Sequence, residues 1–77
     1  MKNKILITGS TGFVGKHLVE ELFKDGHTIL EITRNKTKSS ELFGDMTSKI
    51  EVNDISFNSK IIDFDPNVVV HLASYLT

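Results

Sequence analysis

The sequence contains no cysteine and no tryptophan, and it has a single proline in 77 residues. The lack of cysteine excludes disulfide bonds, thiolate metal sites and cysteine nucleophiles. No charge of one sign dominates, because nine basic residues accompany ten acidic ones, for a formal net charge of -1. This balance argues against a nucleic acid or a membrane surface as a partner bound through bulk charge.

Long hydrophobic runs are also missing. The apolar run behind the N-terminal lysines covers only Ile5 to Ile7, which is too short for a signal peptide or a membrane-spanning helix. We therefore expect a cytoplasmic protein. The length predicts one small domain or part of a larger one. A chain of this size buries only about 60% of its unfolded surface, so we expect a marginal core.

Short apolar segments alternate with amphipathic segments along the chain. β-branched and apolar runs predict strands, and apolar residues at helical spacing predict helices. The predicted strands cover 5–7, 28–33, 49–52 and 68–72. The predicted helices cover 13–25, which Gly26 would end, and 56–64, with Ile61, Ile62 and Phe64 turned inward. Polar residues 34–48 predict a loop with one helical turn near 41–43.

This alternation is typical of a parallel, doubly wound α/β sheet. We expect a partial Rossmann-type sheet of about four strands in the order 3-2-1-4. Ligands bind such sheets beyond the carboxyl ends of the strands, at the point where the strand order reverses.

Three glycines follow the first predicted strand, in the stretch TGSTGFVG at residues 8–15. Gly9 permits a tight turn, Gly12 lets a phosphate approach the backbone, and Gly15 lets the helix pack closely on the strand. The helix dipole and the amides at this end favour an anion. The stretch predicts a pyrophosphate site, and the alternative is a glycine-rich turn without a ligand.

Two other phosphate-binding motifs do not fit this stretch. A P-loop requires Ser or Thr after its Gly-Lys pair, whereas His17 follows Lys16. The fingerprint G-x-G-x-x-G requires one residue between its first two glycines, whereas two residues separate Gly9 from Gly12. The pattern present is T-G-x-x-G-x-x-G.

That pattern resembles the extended branch of the short-chain dehydrogenase/reductase superfamily, which contains nucleotide-sugar epimerases, dehydratases and 4-keto reductases. The resemblance covers the whole chain, because Gly26-His27, Asp54-Ile55 and DPNVVVHLAS at 65–74 are similar to later motifs of the family. It implies that 1–77 is the N-terminal part of a dinucleotide-binding domain in an NAD(P)-dependent oxidoreductase or epimerase, without its substrate domain.

The resemblance also implies roles for individual residues. The loop 9–12 would lie beneath the diphosphate, which the backbone of Phe13 and Val14 would contact. Asp54 and Ile55 would flank the adenine, with the carboxylate accepting from its exocyclic amine. The alternative for Asp54 is a turn or helix-capping residue. The implied cofactor-binding residues are Gly9, Ser10, Thr11, Gly12, Phe13, Val14, Gly15, Arg34, Asp54, Ile55, Leu72, Ala73 and Ser74, of which the last three would line the route to the nicotinamide ribose.

The end of the second strand bears on the choice between NAD and NADP. NAD enzymes place an acidic residue about 20 residues beyond the glycines, but Thr33 and Arg34 stand there. An arginine suits the 2′-phosphate of NADP, and Lys36 would assist it. We expect NADP, with NAD as the alternative cofactor and a solvated loop residue as the alternative role of Arg34. Glu31 lies within the strand and is interpreted as structural.

The residues that perform the family's chemistry are not found in this chain. The family pairs a Ser or Thr with Tyr-x-x-x-Lys, whose tyrosine transfers a proton. Tyr75 is the single tyrosine and has no lysine four positions on. We therefore predict no catalytic residue here, an inactive fragment, and a longer parent that acts on a nucleotide sugar. His71 is interpreted as structural, and no metal site is expected.

Three hypotheses about function remain open. The first is the NADP-binding part of a nucleotide-sugar epimerase, dehydratase or 4-keto reductase. The second is a non-catalytic sensor or scaffold of the same superfamily. The third, a flavodoxin-like module, would not need the three glycines. Because strand 68–72 would be an exposed apolar edge, we also expect a homo-oligomer or a retained, cleaved partner segment.

Overall fold

Four parallel strands form one sheet in the part of the chain that the structure describes, residues 2–9 and 13–72 of a computed structural model. The strands are β1 (Lys4–Thr8), β2 (Thr28–Thr33), β3 (Ser48–Glu51) and β4 (Val68–His71). Their order is β3-β2-β1-β4. The structure therefore confirms the predicted parallel α/β sheet and its strand order.

Helices cover both faces of this sheet. They are α1 (Phe13–Lys24), α2 (Lys36–Phe43), which continues into a short 3-10 turn (Gly44–Met46), and α3 (Phe57–Phe64). None of the helices among the described residues has the length and apolar character needed to cross a membrane.

The core is divided into two layers by the alternation of side chains along the strands. On one face, Ile5 and Ile7 of β1 pack with residues of α1 and α2. On the other face, Leu6 packs with residues of β2, β3 and α3. All three β1 residues are buried, because β1 lies between β2 and β4 and has helices on both faces.

Gly26 ends α1 as the sequence predicts. Its φ of 89° lies in the left-handed region. Its amide donates to the Phe23 carbonyl at 3.0 Å, and the His27 amide donates to the Leu22 carbonyl at 3.1 Å. These two bonds form a Schellman motif, which satisfies carbonyls that the helix end would otherwise leave open.

The prediction of a loop over 34–48 was wrong, because the segment contains the eight-residue helix α2. Asn35 starts it, accepting a hydrogen bond on its side-chain oxygen from the Lys38 amide at 3.0 Å. The helix carries little apolar surface, and Ser39 and Phe43 are its buried residues. Hydrophobic periodicity, on which the prediction relied, is therefore weak in this helix.

Ile62 in α3 was also predicted wrongly. It is 74% exposed, while Ile61 and Phe64 pack beneath the sheet as expected. Val69 of β4 is likewise exposed, at 63%. Apolar side chains are therefore exposed on α3 and on the edge strand β4, which follows α3 in the chain.

Candidate functional site

The predicted site residues within the described part of the chain gather at one edge of the sheet. The carboxyl ends of parallel strands lie along the same side of the sheet. At this side, a predicted site residue lies directly or shortly after each of the four strands. Gly9 follows β1, Arg34 follows β2, Asp54 lies three residues after β3, and Leu72 follows β4. Ser10, Thr11, Gly12, Ala73 and Ser74 lie outside the described residues.

Gly9 has a backbone conformation that suits glycine. Its φ is 74°, in the left-handed region where a Cβ would be strained. The backbone of Phe13 begins α1 four residues later, so the first amides of the helix face the same edge. Val14 is 67% exposed, and Gly15 is buried. The left-handed turn at Gly9 therefore lies four residues before α1, whose first turn exposes Val14.

Thr8 and His71 connect the ends of β1 and β4. The Thr8 hydroxyl and His71 Nδ1 share a hydrogen bond of 2.5 Å, and the Leu72 amide donates to the Thr8 carbonyl at 2.9 Å. These bonds fix the point at which the chain leaves β1 for Gly9. They give His71 a structural contact, in agreement with its interpretation from the sequence.

Arg34 projects from a turn that its neighbours hold in place. The Thr33 hydroxyl donates to the Asn35 carbonyl at 3.2 Å and accepts from the Asn35 amide at 3.1 Å. Thr33 is buried, whereas Arg34 is exposed. Glu31 is fully buried and accepts hydrogen bonds from protein hydroxyls. The exposed charged side chain at the end of β2 is therefore a cation.

Asp54 caps the turn between β3 and α3. Its Oδ1 accepts from the Ser56 amide at 2.8 Å and from the Ser56 hydroxyl at 2.7 Å. Its Oδ2 accepts from Lys60 Nζ at 3.0 Å. These bonds hold the pKa of the Asp54 carboxyl far below its ordinary value. The two bonds from Ser56 have the largest effect, and the bond from Lys60 has the next largest. The alternative role from the sequence, a turn aspartate, is present in the structure, and the adenine contact remains a prediction.

Ile55 is the most exposed large apolar residue among those described, since its side chain is fully in solvent. Val52, earlier in the same connection, is 49% exposed. An apolar surface beside the bonded Asp54 therefore borders this edge of the sheet. Apolar side chains with a few polar groups nearby are typical of small-molecule sites.

Asn35 also belongs to the site region, although the sequence pattern did not predict it. This residue starts α2. It therefore fixes the backbone between the cations Arg34 and Lys36, which lie on either side of it. Asparagine is a preferred residue at helix starts, so Asn35 followed by KTKSSELF was a usable signal. Among the described residues, no group of three His, Asp or Glu side chains is arranged to hold a metal ion.

Comparison with known proteins identifies relatives. The sequence profile of the NAD dependent epimerase/dehydratase family matches residues 5–77. The UDP-N-acetyl-alpha-D-glucosaminuronate decarboxylase of Bacillus cytotoxicus is 36% identical over 80 residues, covering 99% of this chain and 25% of that protein. The CDP-abequose synthase of Salmonella muenchen is 33% identical over 76 residues, covering 96% of this chain and 25% of that protein.

Among solved structures, the Bordetella bronchiseptica enzyme WbmG in complex with NAD and UDP is similar, with a TM-score of 0.77 and 33% identity. The match covers 100% of this chain and 26% of that one. The chain therefore spans about a quarter of the length of the relatives that it matches.

Proposed function

The chain belongs to the NAD dependent epimerase/dehydratase family, and from this premise we propose that it is the cofactor-binding N-terminal part of an enzyme acting on nucleotide sugars. Residues 1–77 would contribute the first half of a dinucleotide-binding domain. The substrate lobe and the catalytic Tyr-x-x-x-Lys pair would belong to a longer parent, because this chain corresponds to about a quarter of its relatives.

One observation carries the dinucleotide site. Gly9 turns with a left-handed φ directly after β1, which is the strand at which the order β3-β2-β1-β4 reverses. Ligands of doubly wound sheets bind at this reversal, and a helix start there favours a phosphate. The proposal places the cofactor pyrophosphate over loop 9–12 and the backbone of Phe13 and Val14.

The other contacts follow from the same edge of the sheet. Asp54 Oδ1 already accepts both bonds from Ser56, whereas Oδ2 accepts one bond from Lys60 and keeps a lone pair. The carboxylate can therefore still accept from the adenine amine through Oδ2. Ile55 offers an exposed apolar surface for the ring. On the opposite side, Leu72, Ala73 and Ser74 would line the route to the nicotinamide ribose.

We further propose NADP as the preferred cofactor. An NAD site needs an exposed acidic group at the end of β2 for the ribose hydroxyls. Here Glu31 is buried, the Thr33 hydroxyl is bonded to Asn35, and the exposed side chain is Arg34. A guanidinium matches a phosphate by two parallel bonds.

The bound cofactor supplies hydride transfer to and from the sugar. The residues of this chain would bind and orient it: Gly9 and the start of α1 hold the diphosphate, Arg34 holds the 2′-phosphate, and Asp54 fixes the adenine. The proton at the sugar oxygen requires a tyrosine from the parent. Two relatives are named for a UDP sugar and a CDP sugar. These names support a nucleotide sugar as the substrate.

The free edge of β4 supports a further proposal about assembly. Within the described residues β4 pairs only with β1, and Val69 on it is 63% exposed. An unpaired edge with apolar side chains recruits another strand. We propose that a further segment of the parent chain covers this edge, either as a continuous part of the protein or as a cleaved segment that stays bound. When residues 1–77 are alone, we propose that a second copy of the chain covers it.

The experiment that tests the site is Gly12→Val in the full-length protein, with NADP+ binding measured by calorimetry. A branched side chain in the loop would occupy the space of the pyrophosphate, so we expect binding to be lost with an unchanged circular dichroism spectrum. Ser59→Val is the matched control, because it adds a similar side chain at an exposed position of α3. Unchanged NADP+ affinity in Gly12→Val would place the phosphate elsewhere.

A further inference from the structure

A carboxylate lies buried at the centre of β2. Glu31 is 0% exposed and stands in register with Ile7 of β1 and with Lys49 of β3. Its neighbour Ile7 is fully buried as well. A carboxylate in such surroundings loses its hydration and is retained only where hydrogen bonds or charges replace the water.

Two hydroxyl groups donate to one oxygen of this carboxylate. Glu31 Oε1 accepts from Ser39 Oγ at 2.6 Å and from Thr47 Oγ1 at 2.5 Å. Ser39, in the middle of α2, is itself completely buried. Lys49 Nζ donates to the Thr47 hydroxyl at 3.0 Å and to the Thr47 carbonyl at 2.9 Å. The network therefore holds both α2 and the segment after the 3-10 turn against β2.

The network extends to the start of α2. The Ser39 amide donates to the Asn35 carbonyl at 3.1 Å, and Asn35 is held in turn by the Thr33 hydroxyl. Arg34 lies between these two anchored residues. A displacement of Ser39 within the helix would therefore displace the turn that carries Arg34.

Apolar packing alone would hold α2 weakly. The helix has eight residues, and its apolar contacts with the core come from the fully buried Phe43 and the partly buried Leu42. Helices this short are not stable in isolation. The buried hydrogen bonds from Ser39 and Thr47 supply a second attachment. Unlike an apolar contact, they define one position, because a hydrogen bond depends steeply on distance and angle.

We propose that Glu31 is a positioning residue for cofactor discrimination: its carboxylate anchors α2 through Ser39 and Thr47 and so places Arg34 where it meets the 2′-phosphate of NADP. The inference rests on the proposed NADP preference. It assigns to a strand residue, outside contact with the cofactor, a role in choosing between NADP and NAD.

The test removes the attachments one at a time in the full-length protein. Ser39→Ala and Thr47→Val each delete one donor and leave the carboxylate in place. Glu31→Gln alters the acceptor. Ser40→Ala is the matched control, because Ser40 is the exposed neighbour of Ser39 in the same helix. For each variant, the dissociation constants of NADP+ and NAD+ are measured by calorimetry.

We expect Ser39→Ala and Thr47→Val to lower the preference for NADP+ over NAD+ by about fivefold, the size of a modest coupling between two sites. Ser40→Ala should leave the preference unchanged. Hydrogen exchange should become faster at the Lys38 and Ser39 amides in Ser39→Ala, with β1 exchange unaltered. If Ser39 and Thr47 had a purely structural role, their replacement would weaken the binding of NADP+ and of NAD+ by the same factor.

The outcomes separate this inference from the proposed function. If Arg34→Ala leaves the preference unchanged, the NADP assignment fails and the inference fails with it. If Arg34→Ala lowers the preference and the Ser39 and Thr47 variants do not, the inference alone is overturned. A lowered preference without faster exchange at Lys38 would overturn positioning as its cause.

Discussion

Replacing Arg34 with alanine should reduce NADP+ binding and leave NAD+ binding nearly unchanged. Arg34 is the exposed cation in the turn between β2 and α2. The 2′-phosphate is the group that distinguishes NADP from NAD, so a residue that binds it contributes to one affinity only. The expected result is therefore a change in the ratio of the two dissociation constants.

The magnitude follows from the exposure of the side chain. A hydrogen bond to a charged group contributes about 1.5 to 3 kcal/mol, and solvent screening at an exposed site places Arg34 at the lower end. A loss of about 1.5 kcal/mol is roughly a tenfold rise in the NADP+ dissociation constant. Arg34→Lys should lie between, because it keeps the charge and loses the paired geometry of the guanidinium.

Calorimetric titration of both cofactors measures the effect. Lys24→Ala is the matched control, since Lys24 is an exposed cation at the far end of α1, with its Nζ 3.6 Å from Glu21. The tenfold difference should shrink at high salt. An equal loss for NADP+ and NAD+, or tighter NAD+ binding in the unchanged protein, would refute the reasoning.

Four further outcomes are expected. Asn35→Ala should lower the free energy of unfolding by about 1 kcal/mol, because it removes the side chain that starts α2; a chemical denaturation curve equal to that of Ser40→Ala would contradict this. The lowered pKa of Asp54 stabilises the fold above the carboxyl's ordinary value of 3.8, and this stability is lost as the pH falls below that value, so Asp54→Asn should flatten the acid limb of a melting-temperature profile. The chain of 77 residues alone should reduce no 4-keto nucleotide sugar, and product above a protein-free control would show that catalytic groups are present. The same chain should self-associate in sedimentation experiments, and Val69→Lys should restore a monomer; a wild-type monomer at high concentration would rule out pairing through β4.

The sequence predicted the sheet well because apolar side chains decide strand burial. β2 was predicted with the observed bounds, and the order of all four strands was right, since βαβ units repeat a simple rule of connection. Gly26 was placed correctly because the helix end requires a left-handed residue. These features depend on local chemistry that a single segment reveals.

α2 escaped prediction for a physical reason. Its attachment to the sheet depends on hydroxyl groups that meet Glu31 from 8 and 16 residues away along the chain. No local hydrophobic period marks such an attachment, and the capping residue Asn35 was the local signal for this helix. The prediction for Ile62 failed in the opposite way. Ile62 was assigned to the core because it is apolar and follows the inward-facing Ile61, but the helix turns its side chain outward.

The contrast between Glu31 and Arg34 connects fold and function. Glu31 lies inside β2 and Arg34 follows the strand directly, three positions later, yet Glu31 is fully buried and Arg34 is exposed. An acidic residue at the exposed position of Arg34 would repel a 2′-phosphate. The Glu31 carboxylate is instead buried inside the sheet, away from that phosphate, and its hydrogen bonds hold α2 in place. The position of each charge, more than its presence in the sequence, therefore determines which nucleotide the proposed site can accept.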